Sequence, residues 1–315
     1  MENKLNVTIA SRKTLTPQIC EIEFRRPDGA DLPPFECGAH IVVETPNGMA
    51  RSYSLVNDET ENDRYVIAVK RENGGRGGSL SMHTETAPGD ILRISAPINS
   101  FGFVQAPKYL LIAGGIGITP IISVFRKLLR IGHPDFRLIY STRSAETSPY
   151  LKELTAPKAR DFTTIHHTSL RDGTRFDLWP TLKAPDERHI YYCGPTSLMN
   201  AIYAQTIHWP RSAIHSEDFA GVSATGADSR PFKVKKLATG EVFDIPADRS
   251  IVDVFRDAGL KPKSSCESGT CGTCRVRLIA GVPDHRDLVL GENERQSFFM
   301  PCVSRAFSEE LTLDI

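Results

Sequence analysis

The 315-residue sequence predicts a multidomain chain in which an antiparallel β-barrel precedes a doubly wound α/β domain and a small α+β domain. Three observations carry this prediction. Short alternating runs broken by Gly and Pro fill the first hundred residues, and nearly continuous apolar runs alternating with helical sequence follow them. Near the end, four of the seven cysteines lie close together.

The first module, residues 1–104, is predicted from runs such as Gln18–Phe24 and Arg64–Lys70. Apolar and polar residues alternate in them, as in a strand with one buried face. Several such strands separated by turns favour an antiparallel barrel or a sandwich.

The second module, residues 105–220, begins with the apolar run Tyr109–Ala113, followed by glycines and a helical stretch from Pro120 to Arg130. Phe136–Tyr140 and His189–Cys193 are similar runs. Strands that are apolar throughout are buried on both faces, which indicates a parallel sheet covered by helices.

Residues 221–230 are small and polar, and we expect them to form a linker. Residues 231–315 then predict a third module with short strands, one helix at Ile251–Ala258 and the cysteine cluster.

Charge and hydropathy exclude several classes of protein. Lys+Arg and Asp+Glu both number 38, so no net field would draw the chain to nucleic acid. The sequence contains neither a secretory leader nor an apolar run of about 18 residues. We therefore expect a cytoplasmic protein that is not embedded in a membrane.

The cysteine spacing is the most specific signal in the chain. Cys266, Cys271 and Cys274 follow the pattern C-x4-C-x2-C, and Cys302 stands alone further on. This is the ligand arrangement of plant-type [2Fe–2S] ferredoxins. Gly269 and Gly272 would let the loop turn with positive φ close to the inorganic sulfides. The alternative is a zinc site, but zinc ribbons usually have two C-x2–4-C pairs.

Two short motifs in the first module suit a flavin. Arg51-Ser52-Tyr53-Ser54 offers an aromatic face, hydroxyls and a cation for a phosphate. Arg76-Gly77-Gly78-Ser79 precedes a helical stretch, where exposed N–H groups and the helix dipole favour a phosphate. An ordinary loop with a helix cap would explain the second motif equally well.

Two motifs in the second module follow predicted strands. Ala113–Pro120 is rich in glycine and opens a helix, although it lacks the G-x-G-x-x-G fingerprint. Cys193-Gly194-Pro195 ends another strand at the same edge of the sheet. A cysteine at such a position is often a small buried apolar residue, but the adjacent Gly-Pro favours a functional role.

In chain order these motifs resemble the ferredoxin–NADP reductase superfamily, and within it the phthalate dioxygenase reductase family, over essentially the whole chain. The resemblance implies FMN, NADH and a [2Fe–2S] cluster in a β-grasp ferredoxin domain. The flavin contacts that it implies are Arg51, Ser52, Tyr53, Ser54, Ala68, Val69, Lys70, Gly77, Gly78, Ser79 and Phe219. The nucleotide contacts that it implies are Gly114, Gly115, Gly117, Pro120, Thr142, Arg143, Gly194 and Pro195, with Thr119 and Cys193 beside the reacting nicotinamide.

The expected function follows from this order of cofactors. The chain would be the reductase component of a Rieske-type aromatic-ring dioxygenase or demethylase, and it would pass electrons from NADH through FMN and the cluster. A reductase serving a hydroxylase or a cytochrome is an alternative within the same chemistry. A non-enzymatic electron carrier or redox sensor is a different class, and the flavin and nucleotide motifs argue against it. Arg143 could favour a 2′-phosphate, but a solvated surface arginine is equally compatible with the sequence.

Overall fold

The computed structural model describes residues 4–74, 77–219, 221, 224–226, 228–264, 267–269 and 272–315. The chain divides into two compact units, Met1–Phe219 and Ala220–Ile315. The first unit contains the first two predicted modules, and the second contains the cysteine-bearing module.

The first module of the first unit is an antiparallel barrel. Its strands are β1 Leu5–Thr16, β2 Ile19–Arg25, β3 His40–Glu44, β4 Ala50–Ser54, β5 Tyr65–Lys70 and β6 Ile91–Ile94, with the helix α1 at Gly78–Thr84. They hydrogen-bond in the order β4-β3-β6-β1-β2-β5, and a bridge between Leu55 and Ile67 joins the two ends. Alternate residues such as Val7, Ile9 and Ile41 fill the interior. The structure therefore resolves the predicted choice in favour of a barrel.

The second module is a parallel sheet with helices on both faces. Its strands are β7 Lys108–Gly114, β8 Phe136–Thr142, β9 Thr163–His167, β10 Arg188–Cys193 and β11 Ile214–Glu217. Its helices are α2 Ile118–Arg130, α3 Leu151–Leu154, α4 Trp179–Leu182 and α5 Thr196–Gln205. Leu111 packs with α2 on one face, and Leu110 packs with α4 and α5 on the other. No helix in the described ranges is long and apolar enough to cross a membrane.

The strand order β11-β10-β7-β8-β9 indicates where a ligand would bind at the edge of this sheet. The chain runs outward in one direction from β7 to β9, and it then returns to β10 on the other side of β7. Ligands of doubly wound sheets bind outside the carboxyl ends of the strands at such a reversal. The loops after β7 and β10, which carry the glycine-rich motif and Cys193-Gly194-Pro195, lie at that point.

The barrel and the sheet pack against each other within the first unit. The Tyr191 hydroxyl donates to the Gly102 carbonyl (3.1 Å) and accepts from the Val104 amide (2.8 Å). The Ser123 hydroxyl accepts from the Gly38 amide at 2.9 Å. These bonds link α2 and β10 to segments of the first module.

The second unit is built on a mixed five-stranded sheet. The strands of this unit are β12 Phe232–Lys236, β13 Val242–Ile245, β14 Val276–Ala280, β15 Pro283–Asp284, β16 Phe298–Phe299, β17 Arg305–Ala306 and β18 Glu310–Asp314, and its helix is α6 Ile251–Asp257. The sheet order is β13-β12-β18-β14-β16, and β15 and β17 form a separate pair. Ile251 and Phe255 of α6 pack on the sheet, as in a β-grasp domain.

The predicted linker is anchored in the second unit. Arg305 is fully buried, and its guanidinium donates to the carbonyls of Ala224 (3.3 Å) and Arg230 (2.9 Å), as well as to Arg249 and Pro246. Backbone carbonyls can bind a buried cation whatever side chains the segment carries. Described residues of the segment 221–230 are therefore held to the second unit by their backbone, and the role of the segment as an inter-domain linker stays a prediction.

Candidate functional site

The glycine-rich loop after β7 lies directly against the loop after β10. A Cβ atom placed on Gly117 would lie 2.4 Å from the Cys193 carbonyl oxygen and 2.6 Å from the Gly194 nitrogen. A Cβ atom on Gly114 would lie 2.7 Å from the Pro195 ring. The two predicted nucleotide motifs thus meet, and glycine is required where the backbones touch. Gly115 has φ +54°, which favours glycine for a different reason.

Cys193 is enclosed beneath this contact. Its side chain is fully buried, and burial raises the pKa of the thiol well above its usual range, with the nearby Glu217 and Asp218 adding to the shift. The protonated thiol is suited to packing and is unsuited to nucleophilic attack. Thr119 is also buried, and its hydroxyl donates to the Ile116 carbonyl at 3.1 Å.

The Arg51–Ser54 motif presents polar atoms that the described chain does not satisfy. Ser52 Oγ and Tyr53 Oη are buried and have no hydrogen-bond partner among the described residues. Burial also raises the pKa of the Tyr53 hydroxyl, which therefore stays protonated and can donate. Buried polar atoms without partners cost free energy, so these two fit a bound group with polar edges, such as a flavin ring.

A cation lies beside the start of α1. A Cβ atom on Gly78 would lie 3.1 Å from Arg51 Nε, so the guanidinium stem runs along the first residue of the helix. Gly77, which precedes the helix, has φ +86°. Ser79 Oγ accepts from the Glu72 amide at 3.1 Å. This arrangement fits a phosphate held by Arg51, whereas Arg76 lies outside the described residues.

The remaining predicted flavin residues have mixed surroundings. Ala68 and Val69 are buried on β5, while the Lys70 ammonium pairs with the Glu72 carboxylate at 2.5 Å. Phe219 is the last residue of the first unit. Its aromatic side chain is 41% exposed and is available for stacking.

Thr142 and Arg143 follow β8 at the same edge of the sheet. Thr142 Oγ1 lies 2.6 Å from Ser148 Oγ and 2.8 Å from His167 Nδ1, so this hydroxyl supports the loop. Arg143 is exposed. Its contact with a nucleotide stays a prediction.

Sequence reasoning missed a pair of titratable residues beside these motifs. His40 Nδ1 lies 4.0 Å from Glu217 Oε1, and the two side chains are only 4% and 15% exposed. Burial raises the pKa of the Glu217 carboxyl to about 8, and the nearby Ser54 hydroxyl opposes the shift. Glu217 stands at the end of the last parallel strand next to Phe219, and a carboxylate at a strand end was the available signal.

Two of the four predicted iron ligands can be located. Cys274 and Cys302 are buried in one small apolar cluster with Val252, Leu290, Met300 and Val303. Cys266 and Cys271 lie outside the described residues. A thiolate needs a metal or a cation to stay ionised in such surroundings, so this enclosed pocket suits ligands of a buried cluster.

Two glycines before Cys274 have the predicted backbone conformation. Gly269 and Gly272 have φ +74° and +77°, and a Cβ atom on Gly269 would lie 2.7 Å from Val303. The Gly269 carbonyl accepts from the Leu288 amide at 3.0 Å. The positive φ values expected for these two glycines are confirmed.

Two family models match the chain. An oxidoreductase FAD-binding domain matches residues 6–103, and a 2Fe-2S iron-sulfur cluster binding domain matches residues 234–307. The second match decides the question of the cysteine cluster in favour of iron and sulfur over zinc. The first match identifies a flavin-binding domain.

Full-length relatives have the same arrangement. The chain is 44% identical to phthalate dioxygenase reductase from Burkholderia cepacia over 99% of this chain and 97% of the relative. It superposes on the solved structure of a phthalate dioxygenase reductase with a TM-score of 0.82 and 45% identity, covering 99% and 98% of the two chains. It also superposes on an intact type IV self-sufficient cytochrome P450 monooxygenase with a TM-score of 0.80 and 32% identity, covering 99% of this chain and 41% of that one.

Proposed function

Because this chain belongs to the phthalate dioxygenase reductase family, we propose that it carries electrons from NADH through FMN and its [2Fe–2S] cluster to a Rieske-type oxygenase. It is a flavin and iron–sulfur oxidoreductase. Bound flavin accepts a hydride and releases electrons one at a time, which joins a two-electron donor to a one-electron cluster.

One observation carries the proposal: the flavin motif and the nucleotide motifs meet in one place. Ser54 of the flavin motif lies near Glu217, and Glu217 pairs in register with Cys193 across β10 and β11. Cys193 in turn contacts Gly117. A flavin ring at Tyr53 and a nicotinamide ring at Cys193 would therefore be neighbours, as hydride transfer requires.

The residues of the first unit would bind and orient the two reactants. Arg51 would pair with the terminal phosphate of FMN, and Tyr53 would donate its hydroxyl proton to a polar edge of the ring. Gly115 and Gly117 would let the dinucleotide approach the backbone after β7. Thr119 and Cys193 would place the nicotinamide ring without taking part in covalent chemistry.

The test begins with cofactor identity. Extraction should release FMN in equal amount to protein, and stoichiometric FAD would contradict the proposed phosphate site. Anaerobic NADH should bleach both flavin and iron–sulfur absorbance. In Cys302→Ser the iron–sulfur absorbance should be lost, while NADH-dependent reduction of ferricyanide continues. Undiminished transfer to an oxygenase by this variant would show that the cluster is not the exit for electrons.

A second acceptor deserves a parallel assay because of the structural likeness to the cytochrome P450 monooxygenase. Purified Rieske oxygenase and P450 haem domain should be compared at equal concentration, with the Cys302→Ser variant as the matched control. If electrons pass faster to the haem domain, and this transfer depends on the cluster, the acceptor is a cytochrome P450 rather than a Rieske oxygenase.

A further inference from the structure

Asp287 is an acidic residue in the interior of the unit that carries the cysteine cluster. Its side chain is fully buried, and an aspartate is almost never fully buried unless its charge is stabilised. Its Oδ2 atom accepts from the amides of Leu290 (2.8 Å) and Val289 (3.2 Å). Its Oδ1 atom accepts from the Ser304 hydroxyl (3.3 Å). Three donors thus stabilise a carboxylate charge at a point that solvent does not reach.

This carboxylate lies among residues that surround the two described iron ligands. Ser304, which donates to it, is two residues beyond Cys302 in the chain. Leu290, whose amide also donates to it, packs in the same buried apolar cluster as Cys274 and Cys302. A negative charge at Asp287 therefore lies close to the thiolates that hold the iron, without being one of the ligands.

The charge of Asp287 has no arginine or lysine as its partner in the described part of the chain. The guanidinium of Arg286 pairs instead with Asp284 at 2.7 Å. The guanidinium of Arg295 donates to the backbone carbonyl of Asp287 at 3.1 Å and leaves the carboxylate to other donors. His285 is the ionisable side chain that approaches, with Nδ1 3.7 Å from Asp287 Oδ1, and its Nε2 donates to the Arg295 carbonyl at 2.9 Å.

We propose that Asp287 is a positioning residue that lowers the reduction potential of the [2Fe–2S] cluster, as a fixed negative charge buried beside the ligands. Reduction adds an electron to the cluster, and a nearby negative charge makes that addition less favourable, most of all where water does not screen it. This inference rests on the proposed use of the cluster as an electron carrier. It adds a determinant of how readily the reduced cluster passes its electron on.

The experiment measures the potential directly, without turnover. The oxidised full-length holoprotein is titrated anaerobically with dithionite in the presence of redox mediators, and the reduced cluster is counted by its electron paramagnetic resonance signal. Dithionite supplies the electron, so the measurement needs neither NADH nor an oxygenase. Iron content is measured on each sample.

Asp287→Asn keeps the size of the side chain and an oxygen that accepts from the Val289 and Leu290 amides, but it removes the charge. It should favour the reduced cluster roughly tenfold more than the wild type does, which is an upward shift of about 59 mV for a one-electron couple. Asp287→Ser is a second neutral variant, and its hydroxyl still accepts from a nearby amide. It should shift the potential in the same direction.

Two controls isolate the charge of the carboxylate. The same shift should separate His285→Gln from the double variant His285→Gln/Asp287→Asn, since no imidazole is then present to change its own charge. Glu309 is an exposed carboxylate of the same unit. Glu309→Gln removes the same charge from the surface, and solvent and salt should keep its effect below about twofold.

Each outcome decides the proposal. An unchanged or lower potential in Asp287→Asn with normal iron content overturns it, and so does an equal shift in Glu309→Gln. If neither neutral variant at this position retains iron, Asp287 only supports the structure of the loop and the proposal is rejected. If the potential shifts as expected but NADH fails to reduce the wild-type cluster, the proposed electron route is wrong and the role of Asp287 stands.

Discussion

Replacing Gly117 by Ala tests the contact between the two nucleotide loops with the smallest possible change. Gly117 has φ −61°, a conformation that alanine adopts freely, so backbone strain contributes nothing. The added methyl carbon would instead lie 2.4 Å from the oxygen and 2.5 Å from the carbon of the Cys193 carbonyl. Ordinary van der Waals contact begins at 3.4 Å. One of the two loops must therefore move by about 1 Å.

A displacement of this size has a large effect on reaction geometry. Misplacing a reactant by about 1 Å can slow its reaction roughly a hundredfold, so we expect NADH to reduce the bound flavin about a hundred times more slowly. The added bulk should also destabilise the fold by about 1–3 kcal/mol. Flavin content should stay normal, since Arg51 and Tyr53 belong to the barrel.

The assay is anaerobic stopped-flow mixing with NADH, monitored at the flavin absorbance, with flavin content measured on the same sample. Gly102→Ala is the matched control, because a Cβ atom there meets nothing within 4 Å and its φ is unstrained. Flavin reduction at the wild-type rate in Gly117→Ala would refute the inferred need for close approach between the loops.

Two further substitutions test other parts of the molecule. Arg51→Ala should remove a charge-assisted bond worth about 1.5–3 kcal/mol and weaken FMN roughly ten- to a hundredfold, measured by fluorescence as the flavin is released; unchanged affinity would exclude Arg51 as the phosphate ligand. Arg305→Met should leave four carbonyls of the second unit without this donor, at a cost of roughly 1–3 kcal/mol for each carbonyl that stays buried, and should lower the urea midpoint for the loss of iron–sulfur absorbance. Arg277 is exposed, so Arg277→Met should change the free energy of unfolding by less than about 0.5 kcal/mol and leave the urea midpoint nearly unchanged. Equal effects of the two substitutions would contradict the anchoring role of Arg305.

Local patterns in the sequence predicted the modules well because each pattern follows from one element's own burial. Alternation gave the strands around residues 18–24 and 64–70, and continuous apolar runs gave the parallel strands β7, β8 and β10. The helix expected from Pro120 begins two residues earlier, at Ile118. Backbone amides in the first turn of a helix have no intrahelical acceptor, so Pro120 can lie within that turn without removing a hydrogen bond. Domain limits near residues 104 and 231 stay predictions.

What the sequence did not reveal depends on distant partners. His40 and Glu217 belong to separate sheets, and their proximity arises from packing of the barrel on the parallel sheet. The contacts of the predicted linker also depend on a residue that is distant in sequence. Composition describes side chains, whereas these contacts use the carbonyls of Ala224 and Arg230 and the guanidinium of Arg305.

The position of β10 beside β7 also determines when the proposed nucleotide pocket can exist. Synthesis proceeds at about 5–20 residues per second, so a nascent chain completes the barrel and β7–β9 seconds before Tyr191 and Cys193 emerge. Until then the glycine loop after β7 has no backbone to pack against, and the segment at Gly102 lacks its bond to Tyr191. The proposed pocket and the part of the seam made by Tyr191 therefore form late, after the bond between Gly38 and Ser123 has become possible. If the chain binds a nucleotide as proposed, that nucleotide can stabilise the finished unit but has no site from which to guide the folding of the earlier strands.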